Sequence, residues 1–333
     1  MARGRIQFQL SGILYLTVRT LLFLFFAAQS VRLPQNPLVR PELSRSIGDN
    51  INGPSLIRVP SWVRSPLGRY YLYFAHHHGQ FIRLAYADSV SGPWKIHEGG
   101  VLQAKDTAFA GPRTHIASPD VHIDDKNKRI IMYFHGAWQG PRDGGMPQRT
   151  QAAVSSDGLT FQVHPAISDD TYLRVFRLGE VHYGIARLGI VMRCSDALGR
   201  FEKGPSIFAG GPYAERVRHV ALLRRDNKLY VFFSAIGDAP ERILLSTVDL
   251  SASWKQWRAS RPVEVLKPEK DYECAALPVV ASRAGLARTP VHELRDPAIF
   301  EESGKVFLLY SVCGEQGIAA ADITDARLIQ RER

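Results

Sequence analysis

The feature of this sequence that most constrains the fold is a unit of three short apolar segments that recurs five times. In each copy, a first segment with polar residues at its start is followed by a turn, an aromatic second segment, and a third segment that ends near an aspartate. Alternation with a period of two, together with aromatic and β-branched residues, predicts strands. Repeated small antiparallel sheets bury their faces against one another, so the sequence predicts an all-β, five-bladed β-propeller. The five second segments are RYYLYFA, KRIIMYFHG, EVHYGIA, NKLYVFFSA and GKVFLLYS.

An aspartate follows each third segment, where the chain turns outward. We expect these side chains to accept hydrogen bonds from backbone amides in the turns rather than to take part in chemistry. They are Asp88, Asp157, Asp196, Asp249 and Asp322.

The N-terminal residues differ in composition from the body of the chain. Arginines come early, an apolar run covers residues 21–28, and Ala28-Gln29-Ser30 offers a small-x-small cleavage sequence. This predicts a signal peptide over residues 1–30, or alternatively an N-terminal anchor, and so a secreted or periplasmic protein that meets a membrane only if this segment is retained. The prolines of residues 31–45 predict a linker, which leaves residues 46–333 for the propeller domain.

The formal net charge of +10 bears on the partner of the protein. Its basic residues are scattered, without a Lys/Arg block or interleaved aromatics, so a nucleic acid is not expected. The charge is compatible with a carbohydrate substrate that carries acidic groups, or with general surface basicity.

The three cysteines, Cys194, Cys274 and Cys313, are widely separated and lack the spacing of a zinc site. One disulfide is compatible with export, but three small core residues are the favoured interpretation. His76, His77 and His78 are adjacent, and neighbouring residues on a strand point to opposite faces, so no metal site is expected there. No cofactor is expected, although the sequence leaves open whether a structural calcium ion occupies the channel.

Polar residues near the start of the first segments should meet in one funnel, because the innermost strands of a propeller run along its central channel. Three of them, Asp120, Glu215 and Asp296, are carboxylates and suit acid/base chemistry on a glycosidic bond, where one is protonated and another ionised. The alternative is that they pair with arginines and only close the channel. The converging residues are Asn52, Ser55, Ser118, Asp120, Tyr172, Arg174, Glu215, Arg216, Arg218, His219, Arg295 and Asp296.

On the segments SPDVHID and LRDPAIF, the chain resembles the five-bladed propeller glycosidases over about residues 50–322, notably glycoside hydrolase families 43, 117 and 32 and the phosphorylases of family 130. The family 43 pattern implies an aspartate base on the first blade, an orienting aspartate on the second and a glutamate acid on the third. Asp120 matches the second. Gly53 replaces the first, and the third blade offers Tyr172 and Arg174, so the resemblance implies a divergent site.

The resemblance implies Glu215 as the acid, Asp296 as the base and Asp120 as an orienting carboxylate. Family 117 implies a histidine acid, for which His219 is the candidate. Glu273 lies in a long insert before the last blade that could cross the funnel. The expected substrate contacts are Asn52, His77, Arg174, Arg218, His219, Glu273 and Arg295.

These observations predict an exported glycoside hydrolase. Inversion of the anomeric centre is favoured, and retention stays open because the separation between the carboxylates decides between them. A glycoside phosphorylase or transferase is an alternative, in which the arginines and His219 would hold phosphate. A non-catalytic glycan-binding propeller is another, since the first-blade aspartate is missing.

Overall fold

The computed structural model describes residues 30–112, 114–140 and 147–324. The predicted signal peptide therefore lies outside the described residues, except for Ser30. No helix in these ranges is long and apolar enough to cross a membrane.

Five four-stranded antiparallel sheets make up the described structure and confirm the predicted five-bladed β-propeller. The strands are β1 (Val31–Arg32), β2 (Asn52–Arg58), β3 (Tyr70–Ala75), β4 (Phe81–Ala87), β5 (Lys95–Gln103), β6 (Ile116–Asp124), β7 (Arg129–Ala137), β8 (Gln148–Ser155), β9 (Gln162–Asp169), β10 (Arg174–Leu178), β11 (Val181–Ile185), β12 (Ile190–Cys194), β13 (Glu202–Ser206), β14 (Val217–Arg225), β15 (Lys228–Ala235), β16 (Ile243–Asp249), β17 (Val263–Leu266), β18 (Arg295–Glu302), β19 (Lys305–Val312) and β20 (Gly317–Asp322).

The blades follow the chain order. Strands β2–β5, β6–β9, β10–β13 and β14–β17 form blades one to four, and β18–β20 together with β1 form blade five. The helical turns of the described ranges are short 3₁₀ segments: Pro41–Leu43, Arg45–Ile47, Ala104–Asp106, Arg187–Gly189, Trp254–Gln256 and Asp271–Glu273.

In four of the five blades the second strand is buried on both faces, which explains its apolar composition. In β15, Leu229, Val231 and Phe233 pack into the core shared with blade three, whereas Tyr230 and Phe232 pack into the core shared with blade five. The same division occurs in β3, β7 and β19. Because neighbouring residues of a strand point to opposite faces, the aromatic second strands join each blade to both of its neighbours.

The ring is closed by the N-terminal segment, which corrects the expectation of a linker over residues 31–45. Val31 and Arg32 pair with β20, and Val39 forms a further bridge with Ile318. Val39 is fully buried. The prolines do not separate this segment from the propeller, since its backbone supplies the outer strand that blade five lacks.

A disulfide joins Cys274 to Cys313, and Cys194 is free. This corrects the expectation of three reduced core cysteines. The bond attaches the insert between blades four and five to the end of β19, 39 residues further along the chain.

The aspartates after the third strands form the turn contacts that the sequence predicts. Asp157 accepts hydrogen bonds from the backbone amides of Leu159 and Thr160. The other four each accept one from a backbone amide: Asp88 from Arg69, Asp196 from Leu198, Asp249 from Ser251 and Asp322 from Thr324.

Candidate functional site

The innermost strands of four blades share an irregularity at their first residues. Pairing with the second strand shifts register between Asn52 and Ser55, and the corresponding shifts fall at the same step in the other three blades. The corresponding steps are Ala117–Asp120, Val217–Val220 and Arg295–Ala298. The residues inside these steps turn toward the axis, where they line or support a small crevice.

Three residues at this step adopt a left-handed backbone: Gly53 (φ 59°), Ser118 (φ 50°) and Asp296 (φ 48°). Tyr172 (φ 57°) adopts it two residues before β10 of blade three. Gly53 stands where the family 43 pattern has its base, and a Cβ there would lie 3.1 Å from the Ser118 Cα. The conformation and the close approach both favour glycine.

An axial crevice opens between these first residues. It is narrow. The centres of water molecules can occupy about 20 Å³ of it, which is room for roughly one or two waters. Of the residues that the sequence places at the site, Asn52, His77, Ser118, Tyr172 and His219 lie on its wall. The remaining lining residues are His115, Ala117, His135, Gln148 and Glu315.

Asp296 lies behind His219 and contacts its Nδ1. Its other carboxylate oxygen accepts a hydrogen bond from Ser311. The centres of the His219 and Tyr172 rings are 4.1 Å apart, and the centres of the Tyr172 and His135 rings are 4.3 Å apart. Burial lowers the pKa of His219 well below its usual value, and the charges of Arg218 and Arg174 add to this effect. A neutral imidazole whose Nδ1 faces a carboxylate leaves Nε2 as the proton acceptor, so His219 suits a general base better than the acid that the family 117 resemblance implies.

A second histidine–carboxylate pair lies on another wall of the crevice. His77 Nδ1 is 3.4 Å from Glu315, and Glu315 also accepts hydrogen bonds from Asn50 and Arg295. Burial opposes ionisation of Glu315, but its contacts with His77, Asn50 and Arg295 outweigh burial and lower its pKa to about 2. His77 is carried by blade one and His219 by blade four. These blades are not neighbours in the ring, so the two imidazoles approach the crevice from different sides.

Arg218 and Arg295 belong to a buried ion-pair network rather than to an open substrate pocket. Arg218 donates to both Glu241 carboxylate oxygens at 2.8 and 3.0 Å. Arg295 donates to Glu293 and Glu315 at 2.7 and 3.1 Å. Both arginines also donate to backbone carbonyls of the insert, at Arg283 and Gly285. The insert thus lies against the inner ends of blades four and five, as the sequence suggested, but it holds the arginines through its backbone.

An outer pocket of about 460 Å³ adjoins the crevice and shares His115 and Gln148 with it. Trp138 lines this pocket, and the Arg149 guanidinium lies 4.3 Å from the centre of its ring. An aromatic ring beside amide and imidazole groups suits a ligand with both apolar and hydroxyl-bearing faces. The larger part of a bound molecule would therefore lie in the outer pocket, with one end reaching the crevice.

Asp120 does not line the crevice, contrary to the expectation from sequence. It lies just beyond the register shift, where it accepts hydrogen bonds from His122 Nε2 and the Val175 amide at 2.7 and 2.8 Å. Ser118 occupies the position on blade two that Asp296 occupies on blade five. The extra residue of the shift changes which side chain faces the axis.

Three other predicted residues lie apart from the crevice wall. Glu215 is exposed in the turn before β14. Arg174 is buried and donates to the Ser118 and Pro119 carbonyls and to the Val220 carbonyl, which joins blades two, three and four.

Glu273 is fully buried beside blade five. It accepts hydrogen bonds from Arg32 at 2.7 and 3.0 Å and from the Tyr310 hydroxyl at 2.8 Å. It fixes the closing strand β1 against the insert, and is not placed to contact a substrate in the crevice.

Sequence reasoning missed Glu315, His135 and Glu241. Glu315 lies in the turn between β19 and β20, and Glu241 lies two residues before β16, so neither belongs to an innermost strand. A weak signal existed, since a carboxylate in the short turn CGEQG between two apolar strands is unusual for a purely solvated loop. Across the described ranges, no group of three or more His, Cys, Asp or Glu side chains is arranged to hold a metal ion.

Comparison with known proteins gives one relative by sequence and a set of solved structures. No protein-family model matches the chain. The uncharacterized protein R118 of Acanthamoeba polyphaga mimivirus is 34% identical over 320 residues, which cover 87% of this chain and 89% of R118.

Similar solved structures are five-bladed propeller glycosidases of family 43. The GH43 BlXynB protein of Bacillus licheniformis has a TM-score of 0.57 at 14% identity and covers 88% of this chain, which spans only 54% of that protein. An α-L-arabinofuranosidase of Lactobacillus brevis has a TM-score of 0.54 at 12% identity, over 86% of this chain and 92% of its own. The family 43 β-xylosidase/α-arabinofuranosidase CoXyl43 from a compost metagenome, solved with xylotriose, has a TM-score of 0.55 at 15% identity, over 84% and 92%. At these identities the likeness concerns the fold.

Proposed function

Because the chain belongs to the family of mimivirus protein R118 and has the fold of the five-bladed propeller glycosidases, we propose that it is an exported glycoside hydrolase. The observation that carries the proposal is the pair of histidine–carboxylate contacts, Asp296–His219 and Glu315–His77, on different walls of the axial crevice. The disulfide supports export, since such bonds persist in oxidising compartments.

In the proposed reaction, a water molecule attacks the anomeric carbon and passes a proton to His219 Nε2. The bond between the anomeric carbon and the leaving oxygen breaks, and His77 donates a proton to that oxygen. Asp296 stabilises the imidazolium formed at His219, and ionised Glu315 contacts Nδ1 of His77. Attack by water and departure of the leaving oxygen in one displacement at the anomeric carbon correspond to inversion.

The outer pocket supports a carbohydrate as the substrate. Trp138 lines this pocket, as aromatic rings in sugar-binding sites do, and Gln148 and His115 lie at the junction with the crevice. The neighbours solved with xylose or xylotriose make pentose oligosaccharides the first candidates.

One alternative is favoured by a specific observation. Gly53, Ser118 and Tyr172 occupy the left-handed positions of the first three blades, so none of these positions carries a carboxylate. This arrangement favours a glycan-binding propeller without catalysis. The phosphorylase alternative is less well supported, because Arg174 and Arg218 are already bound by carbonyl and carboxylate groups of the protein.

The test is product analysis with residues 31–333 on xylotriose, arabino-oligosaccharides and neutral and acidic polysaccharides, with and without phosphate. His219→Gln is the test variant and Glu215→Gln the matched carboxamide control, and circular dichroism verifies that both fold. We expect release of reducing sugar by wild type and Glu215→Gln and not by His219→Gln. Release that requires phosphate would contradict hydrolysis, and binding without release by the wild type would establish the glycan-binding alternative.

A further inference from the structure

A second cleft, of about 390 Å³, lies at the opposite end of the propeller, between blades two and three. Its walls are the β6–β7 turn, the β10–β11 turn and the turn that follows β12. Ser118 of the crevice and Asp124 of the cleft are six residues apart on the inner strand β6, which is about 20 Å at the rise of a strand. The cleft is therefore a separate site from the axial crevice.

Asp120, which does not line the crevice, favours the protonated form of His122 at this cleft. Its carboxylate accepts a hydrogen bond from His122 Nε2 at 2.7 Å and is itself fixed by the Val175 amide of the next blade. Burial opposes protonation of His122, but the charge and hydrogen bond of Asp120 outweigh it and raise the pKa of His122. The imidazole lines the cleft and is partly exposed to it.

The carboxylates around the cleft are already engaged. Asp124 accepts from Asn127 and Arg129, Glu180 from Arg177, and Asp196 from the Leu198 amide. Asp124 and Glu180 therefore have arginine partners, whereas the partner of Asp196 is a neutral amide.

Two nitrogen groups at the cleft lack partners within the described residues. Lys126 makes no ion pair or hydrogen bond there, and the Nδ1 of His182 is buried without an acceptor or donor. The floor between them is apolar and includes Ile131, Val175 and Phe176. A small ligand that carries an acidic group on a compact body matches both the floor and the Lys126 ammonium.

We propose that this cleft binds a small oxyanion-bearing ligand, with its carboxylate, sulfate or phosphate held between His122 and Lys126 and its body on the apolar floor. The shared chemistry is the oxyanion, and its source is a sugar acid, a substituted sugar or the free inorganic ion. The site is independent of the proposed hydrolysis, because none of its residues lines the axial crevice.

The test is titration of residues 31–333 with glucuronate, glucose 6-sulfate, inorganic phosphate and neutral glucose. Isothermal calorimetry gives the affinity, and the ¹⁵N resonances of the histidine side chains identify the site. Lys126→Gln and His122→Gln each remove one contact to the anion. Lys128→Gln is the matched control, since it lies in the same turn and does not line the cleft. His219→Gln separates this site from the crevice.

We expect an oxyanion to bind, to shift the His122 resonances, and to bind about tenfold more weakly to Lys126→Gln and to His122→Gln, as loss of one charge-assisted contact requires. Lys128→Gln and His219→Gln should bind as the wild type does. Tighter binding of glucuronate or glucose 6-sulfate than of phosphate would identify the ligand as an acidic sugar. Tighter binding of phosphate would identify it as a free ion. Absence of binding by all three anions, glucose binding as tight as glucuronate binding, or unchanged affinity in both cleft variants would overturn the proposal.

Discussion

The carboxylate of Asp296 contacts Nδ1 of His219 across the boundary between blades four and five. Neither residue lies near the other in sequence, and both enter the core of the ring through the irregular first residues of an innermost strand. The contact sets the tautomer of the imidazole and leaves Nε2 to accept a proton.

Asp296→Asn should therefore lower kcat by about 10²- to 10⁴-fold with a smaller change in KM, because the amide no longer holds the tautomer that accepts a proton. The measurement is the initial rate on the saccharide that the wild type cleaves. In parallel, ¹⁵N NMR should show the His219 proton on Nδ1 in the wild type. An unchanged kcat, with the proton on Nε2 in the wild type, would contradict the assignment.

Glu215→Gln should leave kcat and KM within about twofold of the wild type, because Glu215 is exposed in the turn before β14 and outside the crevice wall. Surface substitutions of this kind also change stability by about 0.5 kcal/mol or less. Steady-state kinetics and urea unfolding check both. A large fall in kcat would return Glu215 to the mechanism.

Glu273→Gln should destabilise the protein by about 3–5 kcal/mol, since it leaves the Arg32 guanidinium without its buried ionic partner. The measurement is the free energy of unfolding in urea. Glu269→Gln is the control, because Glu269 contacts the same arginine at 3.1 Å but is half-exposed. Equal effects of the two substitutions would argue against the buried clamp.

Removing the disulfide with Cys274→Ala and Cys313→Ala should cost about 4 kcal/mol, because the bond closes 39 residues and limits the entropy of the unfolded chain. Cys194→Ala should cost less, since Cys194 is free. Urea unfolding of the three variants, with and without a reductant, tests this. A reductant should destabilise the wild type and leave the double variant unchanged.

Stability should fall as the pH drops below about 6.5, the ordinary pKa of histidine. Burial, aided by nearby cationic groups, lowers the pKa of His135 and His219 well below that value, so the unfolded chain binds protons that the folded chain does not. Each of the two histidines then removes up to about 1.4 kcal/mol per pH unit until its folded pKa is reached. Urea unfolding between pH 8 and 5 measures the slope, and His135→Phe should reduce it. A slope that this variant leaves unchanged would mean that His135 is protonated in the folded state.

The sequence by itself determined the architecture. The continuous apolar run of a second strand, such as β15, requires apolar neighbours on both faces, and a ring of blades supplies them. The turn aspartates were also predictable, since an aspartate such as Asp157 acts on amides two or three residues away.

Tertiary structure alone decided which polar residues meet. A strand shifted by one residue presents its opposite set of side chains, so the register shift in β6 turned Ser118 toward the axis and left Asp120 to pair with His122. Glu315 lines the crevice from a turn, and Arg32 pairs with Glu273, which lies 241 residues away in the sequence. A local sequence pattern does not predict such contacts, because they depend on how the blades close around one axis.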